Sequence, residues 1–236
     1  MTSTAIYATT AEIRDRIDKT GTADDAILDA LLSAASRAID GYCNRPDGFV
    51  AISTATARYY PGSGKSYQWI DECVSVTAVA VKSSASDEEN QYTAWTVGTI
   101  GTTTGADVFP ATGDPEYPIF DRLPINLLII GANGDYPVFP SGQFRTRGGF
   151  RPASDSVRGV ASVKTTAKWG HSIIVPANVK EAAIVQASRW FKRGQSAWAD
   201  ATVNSDFGIL LYRKSLDPDL QAMLMEARLV KPAIGR

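Results

Sequence analysis

The sequence has very little of the side-chain chemistry on which most enzymes and metal sites depend. Its 236 residues include one histidine, His171, and two cysteines, Cys43 and Cys73, which lie far apart. A structural zinc site or a disulfide framework needs more thiol or imidazole groups at closer spacing. The composition favours two buried, reduced cysteines and a structural role for His171. It predicts a protein that is not an enzyme and that has no metal or cofactor.

Long apolar runs and an extreme charge are also missing. The longest apolar stretches, such as residues 125–130, are far too short to cross a bilayer. The first twelve residues lack the basic and apolar regions of a signal peptide. The formal net charge is −1, so the chain as a whole has no general attraction to nucleic acid or to an anionic membrane. We expect a protein that is made in the cytoplasm, has no membrane partner and contacts DNA only through a local patch.

One short motif imitates a nucleotide site. Residues 62–66, Gly-Ser-Gly-Lys-Ser, end like a phosphate-binding P-loop, but that motif needs another glycine where this chain has Tyr59. It also needs a helix directly after the lysine, whose N-terminus holds the phosphate. Residues 67–70, Tyr-Gln-Trp-Ile, favour a strand instead. The motif is therefore interpreted as a hairpin turn.

Helical patterns mark both ends of the chain. Thr9 with Glu12, and Thr22 with Asp25, have the spacing of capping boxes at the starts of two helices. Pro176 and residues 217–218, Asp-Pro, predict the starts of two later helices. The residues expected to form the helical core recur at helical spacing: Leu31, Ala35, Ile39, Tyr42, Val179, Ala183 and Trp190. A further face of small residues, Ala30, Ala34 and Ala38, is expected to help build a bundle with the helix from Val179 to Trp190.

The middle of the chain is rich in Thr, Val, Gly, Tyr and Pro, with alternating patterns typical of strands. Strands are predicted at residues 55–60, 67–70, 74–82, 92–97, 127–130 and 160–168. The fold class is α+β: N- and C-terminal helices form a small helical bundle with a large β-rich insertion between them. The expected domains are 1–48 for the N-terminal helices of the core, 49–175 for the insertion, and 176–236 for the C-terminal helices and a docking tail.

Charge is distributed unevenly within the insertion. Residues 83–121 hold seven acids and no Lys or Arg. Residues 141–170 hold one acid and six bases: Arg145, Arg147, Arg151, Arg158, Lys164 and Lys168. These bases are candidates either for lining a DNA channel, through contacts that position phosphates without reading sequence, or for pairing with the acidic stretch of a neighbouring copy. Two solvated loop faces would explain the same pattern, so the alternatives stay open.

Two segments near the ends resemble one known family. Residues 22–45, TADDAILDALLSAASRAIDGYCNR, look like the opening helix of phage head–tail connector (adaptor) proteins, which ends in an Ile-Asp-x-Tyr-x-x-Arg type signature. Residues 168–170, Lys-Trp-Gly, with residues 175–182, VPANVKEA, are similar to the family's passage from its last strand into its long helix. The terminal helix that begins at residues 216–220, Leu-Asp-Pro-Asp-Leu, also fits. Compact adaptors have only a small β hairpin where this chain has more than a hundred residues.

The resemblance implies a structural virion protein at the head–tail junction, or neck, of a tailed bacteriophage. Copies of the chain would form a homo-oligomeric ring, with twelve as the expected number, docked on the portal protein. The ring would extend the DNA channel, contact the packaged double-stranded DNA non-specifically and receive a stopper or tail-completion protein. The capsid is a further candidate partner.

Apolar residues near the C-terminus are the candidates for docking on the portal or another partner, since monomers rarely expose such surface. They are Phe207, Ile209, Leu210, Leu211, Tyr212, Leu220, Met223 and Leu224. Removing the chain after Lys214 is expected to abolish docking and leave a folded protein.

Two other functions remain alternatives. The chain could be a different neck or tail completion protein of a phage, which only its partner would distinguish. It could instead be a β-rich carbohydrate-binding module, with Trp69, Tyr92, Trp95 and Tyr117 as a stacking platform.

Overall fold

In the part of the chain that the structure describes, the fold is α+β, with four helices and an antiparallel sheet of seven strands. The computed structural model describes residues 5–82, 91–132, 135–140, 161–195 and 216–231, together with the backbone of 201–204 and 208–211. The chain divides into two compact units, Met1–Val50 with Ile174–Arg236, and Ala51–Ile173. We call them the helical unit and the β-rich unit. No helix among the described residues is long and apolar enough to cross a membrane.

The helical unit begins with α1 (Thr10–Ile17) and α2 (Asp25–Tyr42). The capping box of α1 is confirmed, because Thr9 accepts from the Glu12 amide while the Glu12 carboxylate accepts from the Thr9 amide. The second predicted box, Thr22 with Asp25, is wrong. The N-cap of α2 is Asp24, whose side chain makes no capping hydrogen bond and pairs instead with Lys19.

The same unit contains α3 (Ala177–Gln195), the hairpin of β8 (Ala201–Asn204) and β9 (Gly208–Leu211), and α4 (Pro218–Glu226). Asp217 caps α4 by accepting from the Asp219 amide, and Pro218 fills the first turn, as predicted. Side chains from α1 to α4 share one hydrophobic core, which includes Leu28, Leu32, Ala35, Ile39, Val179, Ala183, Ala187, Leu220 and Leu224. The predicted core residues Leu31, Tyr42 and Trp190 lie partly buried against it.

The face of α2 that meets this core differs from one of the predictions. Leu28, Leu32 and Ile39 are fully buried, whereas Ala30 and Ala34 are exposed and Ala38 is half-buried. Because Ala30 and Ala34 lie on the opposite side of α2 from Leu32, they cannot pack in the core of the same chain. The alanine face is directed outward.

A buried polar network joins the N-terminal segment to α2. The Tyr7 hydroxyl donates to the Asp40 carboxylate and accepts from the Phe49 amide at 2.9 Å, and the Tyr7 amide donates to Ser36 Oγ at 3.2 Å. Arg37 pairs with the other oxygen of Asp40 at 2.9 Å. Burial raises the pKa of the Asp40 carboxyl, although the hydrogen bond from Tyr7 and the charge of Arg37 oppose the rise. The network holds the segment before α1 against the middle of α2.

The β-rich unit contains seven strands, and their order in the sheet does not follow the chain. The strands are β1 (Thr56–Pro61), β2 (Tyr67–Val81), β3 (Thr93–Trp95), β4 (Val108–Asp114), β5 (Tyr117–Ile119), β6 (Ile125–Ile130) and β7 (Ala161–Trp169). The order is β1-β7-β2-β6-β4-β5, and β3 also pairs with β2. The predicted hairpin between β1 and β2 is therefore wrong, because β7 lies between them.

The turn that resembled a P-loop joins these two separated strands. Gly62 is required there by space, since a Cβ atom would lie 1.7 Å from the carbonyl oxygen of Pro140. The Gly62 amide donates to Ser162 Oγ at 2.8 Å, and β2 begins at Tyr67. Residues 62–66 therefore lie where two segments of the chain cross closely. They precede a strand, as the sequence predicted.

One face of the sheet carries the hydrophobic core of the β-rich unit. Its buried members include Cys73, Val79, Trp95, Leu128, Phe139, Val163, Ala167 and Trp169. The sequence missed β4 and β5, which contain Pro110, Gly113 and Pro118 and so lack the usual composition of strands. It also divided β2, which is one strand of 15 residues with two bulges along its pairing with β7.

Candidate functional site

Alternation along β7 separates its side chains into two groups. Val163, Thr165, Ala167 and Trp169 are buried, so Lys164, Thr166 and Lys168 point to the opposite face. Register places Tyr59 of β1 directly beside Lys164 on that face. Tyr92, one residue before β3, and Lys82, one residue after β2, complete a group of five side chains. We call Tyr59, Lys82, Tyr92, Lys164 and Lys168 the lysine–tyrosine face.

The tyrosine rings hold two of the lysines in place. The ammonium of Lys164 lies 5.9 Å from the ring centroid of Tyr59 and 5.8 Å from that of Tyr92, within the range of a cation–π contact. Lys82, only 5% exposed, lies 5.4 Å from the Tyr92 centroid. The two rings are 6.0 Å apart, and the Tyr92 hydroxyl donates to the Ala161 carbonyl at 2.9 Å. Lys168 is exposed at the other end of β7.

The residues that pair with Lys164 and Lys168 across the sheet are uncharged. The residues in register with Lys164 are Tyr59 and Ala80, and the residue in register with Lys168 is Ser75. Among the described residues, no carboxylate lies within ion-pair distance of Lys164 or Lys168. The carboxylates of β2 are engaged elsewhere, Asp71 by Arg58 at 2.8 Å and Glu72 by His171 at 3.2 Å. Small side chains separate the charged groups: Ala57, Ala78, Ala80, Ala94 and Thr166.

The other predicted basic residues, Arg145, Arg147, Arg151 and Arg158, lie outside the described residues. The sequence identified Lys164 and Lys168 but missed Tyr59 and Lys82, and it assigned Tyr92 to a carbohydrate platform instead. Their membership depends on β1 and β3 joining β7 and β2 in one sheet, and these pairings connect distant parts of the chain. The only local signal for Tyr59 is its position in β1, where exposed and partly buried side chains alternate.

The acidic stretch is partly used for local structure. Asp107 is buried, and its carboxylate accepts from the Thr96 amide at 2.7 Å and from the Asp135 amide at 3.3 Å. Asp114 accepts from the Glu116 amide in the turn between β4 and β5. Asp107 therefore has no role in pairing with a neighbouring copy.

Two of the residues expected to dock on a partner are not accessible. Leu220 and Leu224 are buried in the helical core, and Met223 packs partly against it. The exposed apolar residue of α4 is Met225, which is 59% exposed and which the sequence did not single out. Ile209, Leu210 and Leu211 lie in β9, whereas Phe207 and Tyr212 lie outside the described residues.

The expectation that truncation after Lys214 leaves a folded protein is corrected by this burial. The removed segment carries Leu216, Leu220, Leu224 and Leu229, all of which belong to the helical core. Loss of each buried leucine is expected to cost about 2–5 kcal/mol, so the truncated chain should lose the helical unit. Truncation is thus unsuitable as a test of docking.

The proposed aromatic platform for carbohydrate is not assembled. Trp95 is buried in the core, with its ring stacked 4.6 Å from that of Tyr136 and 5.2 Å from that of Phe139. Tyr92 is pinned on the lysine–tyrosine face. Only Trp69 and Tyr117 are exposed, on separate strands, β2 and β5, that are not neighbours in the sheet.

A cleft of about 390 Å³ lies in the β-rich unit, beside the edge of β2 that faces away from β7. On that edge, β2 has no strand partner between its pairings with β6 and β3. Its lining includes Val76, Val97, Phe120 and Ile125, with Asp121 and Arg122. The lining also includes the hydroxyl side chains Ser75, Thr77 and Thr99. Among the described residues, no group of three or more His, Cys, Asp or Glu side chains could hold a metal ion.

The two cysteines are buried and unpaired. Burial raises the pKa of the Cys43 thiol to about 11 and that of the Cys73 thiol to about 12. Both groups are therefore thiols near neutral pH, which suits packing and disfavours reactivity.

Neither a protein-family model nor a curated protein matches the chain.

Proposed function

We propose that the chain is a structural subunit of a phage virion that forms a homo-oligomeric ring, of about twelve copies, at the head–tail junction. The helices of the helical unit would act as a small bundle that docks on the portal. The ring would extend the DNA channel and give a stopper or tail-completion protein its attachment surface. In this proposal the chain performs no catalysis.

The observation that carries the proposal is the joining of the two segments that resemble connector proteins. Residues 22–45 and 175–182 are separated by more than a hundred residues, yet both belong to the helical unit and share one core. Leu28 and Leu32 from the first segment and Val179 from the second are fully buried there. The β-rich unit is inserted between them, and the resemblance covers only residues 168–170 of it.

The outward face of α2 supports contact between copies. Ile27 is 55% exposed, and along the same face follow Ala30, Ala34, Ala38 and Gly41. The part of this face from Ala30 to Gly41 carries only small side chains, which allows another helix to approach at the short end of the usual 8–10 Å interaxial distance. Hence the small residues that fail to face the core of their own chain suit a heterologous contact in a ring.

An Ala34→Arg substitution is expected to block ring assembly and leave the monomer folded. The position is exposed, so the fold tolerates a long side chain, whereas a close helix contact between copies does not. The matched control is Ser33→Arg, an exposed neighbour about 100° away around the helix. Sedimentation of each variant with portal rings distinguishes them. Normal assembly of the Ala34→Arg protein would remove α2 from the interface.

A further inference from the structure

Four of the five residues of the lysine–tyrosine face lie outside the segments that carry the resemblance, and only Lys168 belongs to one of them, residues 168–170. We infer that this face binds the phosphate backbone of duplex DNA without regard to base sequence. The inference concerns the single chain and does not depend on ring assembly.

Charge complementarity is the first argument. Lys164 and Lys168 present two ammonium groups on one face of β7, and no described carboxylate lies close enough to neutralise either. The strand rises about 3.3 Å per residue, so four residues separate the Cα atoms of Lys164 and Lys168 by about 13 Å along the sheet. Only small side chains lie in register between them on this face, which leaves both lysines able to meet an extended polyanion.

The orientation of Lys164 is the second argument. Its ammonium group lies at nearly equal distances from two tyrosine rings, 5.9 Å from the Tyr59 centroid and 5.8 Å from the Tyr92 centroid. The sheet holds both rings, since Tyr59 is in register with Lys164 and the Tyr92 hydroxyl donates to the Ala161 carbonyl. A lysine confined in this way loses less side-chain entropy when it meets a phosphate than a free lysine does. Lys82 adds charge beneath Tyr92 but is too buried to contact a ligand directly.

The aromatic residues argue against single-stranded nucleic acid. Proteins that bind single strands place several free rings in succession so that bases can stack on them. Here the Tyr92 ring is flanked by Lys82 and Lys164, and only Tyr59 is largely exposed, at 54%. One accessible ring cannot supply a stacking platform.

The expected behaviour is weak, salt-dependent binding. A few phosphate contacts give non-specific dissociation constants of roughly 10⁻⁴–10⁻⁶ M, and each contact contributes about 0.9 to the slope of log affinity against log salt. A Lys164→Gln, Lys168→Gln double variant should therefore lower that slope by about 1.8. At 50 mM salt its affinity should fall on the order of ten- to a hundredfold.

The test is fluorescence anisotropy of a labelled 30-base-pair duplex of mixed sequence, titrated with full-length protein at 50–200 mM salt. The control is Lys65→Gln with Arg122→Gln, which removes two exposed charges from the same unit away from this face and should keep the wild-type slope. The charge-conserving Lys164→Arg, Lys168→Arg variant should also keep it. Equal slopes for the two glutamine variants would overturn the inference.

Two competitors separate the remaining explanations. If single-stranded DNA binds more tightly than the duplex, and if the Tyr59→Ala variant loses this difference, the face binds bases by stacking and not the phosphate backbone. Polyglutamate that displaces the duplex at equal charge concentration would assign the face to an acidic protein surface, such as the acidic stretch of a neighbouring copy. Assembly on the portal is measured separately, so a failed ring proposal and a failed DNA inference give different results.

Discussion

A Trp169→Ala substitution is expected to destabilise the β-rich unit by about 3–5 kcal/mol, the range for deleting a large buried aromatic side chain. Trp169 is fully buried, and its indole N–H donates to the Thr56 carbonyl at 2.8 Å. The guanidinium of Arg58 lies 4.6 Å from its ring centroid, and the Tyr60 ring is 6.3 Å away. The substitution therefore leaves a cavity and removes a hydrogen bond that ties β7 to β1.

The matched control is Trp69→Ala in the same sheet. Trp69 is 45% exposed and should cost much less. Urea unfolding followed by hydrogen exchange of peptides from residues 56–82 measures both variants and reports on the β-rich unit by itself. Similar losses of protection in the two variants would show that the core face of the sheet has been assigned wrongly.

A Tyr7→Phe substitution is expected to lower the free energy of unfolding by about 1–3 kcal/mol, although it removes a single oxygen atom. That oxygen serves both the Asp40 carboxylate and the Phe49 amide, which are left without this partner in a buried site. Denaturant unfolding with a probe in the helical unit measures the loss. A change below a few tenths of a kcal/mol would show that water replaces the hydroxyl.

The same network makes stability depend on pH. Because burial raises the pKa of Asp40 in the folded state, its protonated form is favoured by folding. This contribution to stability is full below the unfolded-state pKa of about 3.9 and is lost as pH rises through the higher folded pKa. An Asp40→Asn variant should lack it, so the unfolding free energy of the wild type relative to this variant should fall as pH increases above about 4.

Asp29→Asn, at an exposed position of the same helix, is the control. It should retain the pH dependence of the wild type between pH 3 and 7. If Asp40→Asn also retains that dependence, another carboxyl group is responsible.

The ends of the chain were predictable from sequence because their signals are local. Thr9 with Glu12 and Asp217 with Pro218 act within one helical turn, and both caps are present. Thr22 failed because the helix begins after Asp24, where an ion pair with Lys19 replaces the capping bond. The helical spacing of apolar residues predicted the side of α2 that packs in the core. The spacing alone did not show that Ala30 and Ala34 are exposed to solvent.

The order of the sheet was not predictable, because its main pairings are remote in sequence. Thr56 pairs with Ala167 across more than a hundred residues, and no local pattern encodes that register. For the same reason Lys164 and Lys168 could be named as candidates while Tyr59 could not, and Tyr92 was assigned to a different site. Leu220 and Leu224 were misassigned to docking because an apolar stripe on a helix looks alike whether its partner is the same chain or another.

The central claim is the proposed assembly, and the mass of the purified protein with and without a phage portal ring tests it most directly. Native mass spectrometry resolves a chain of 25.3 kDa and its multiples. The account predicts that the portal ring gains a closed set of copies, about twelve in number, and that the Ser33→Arg control does the same. A protein whose mass does not change in the presence of the portal would contradict it.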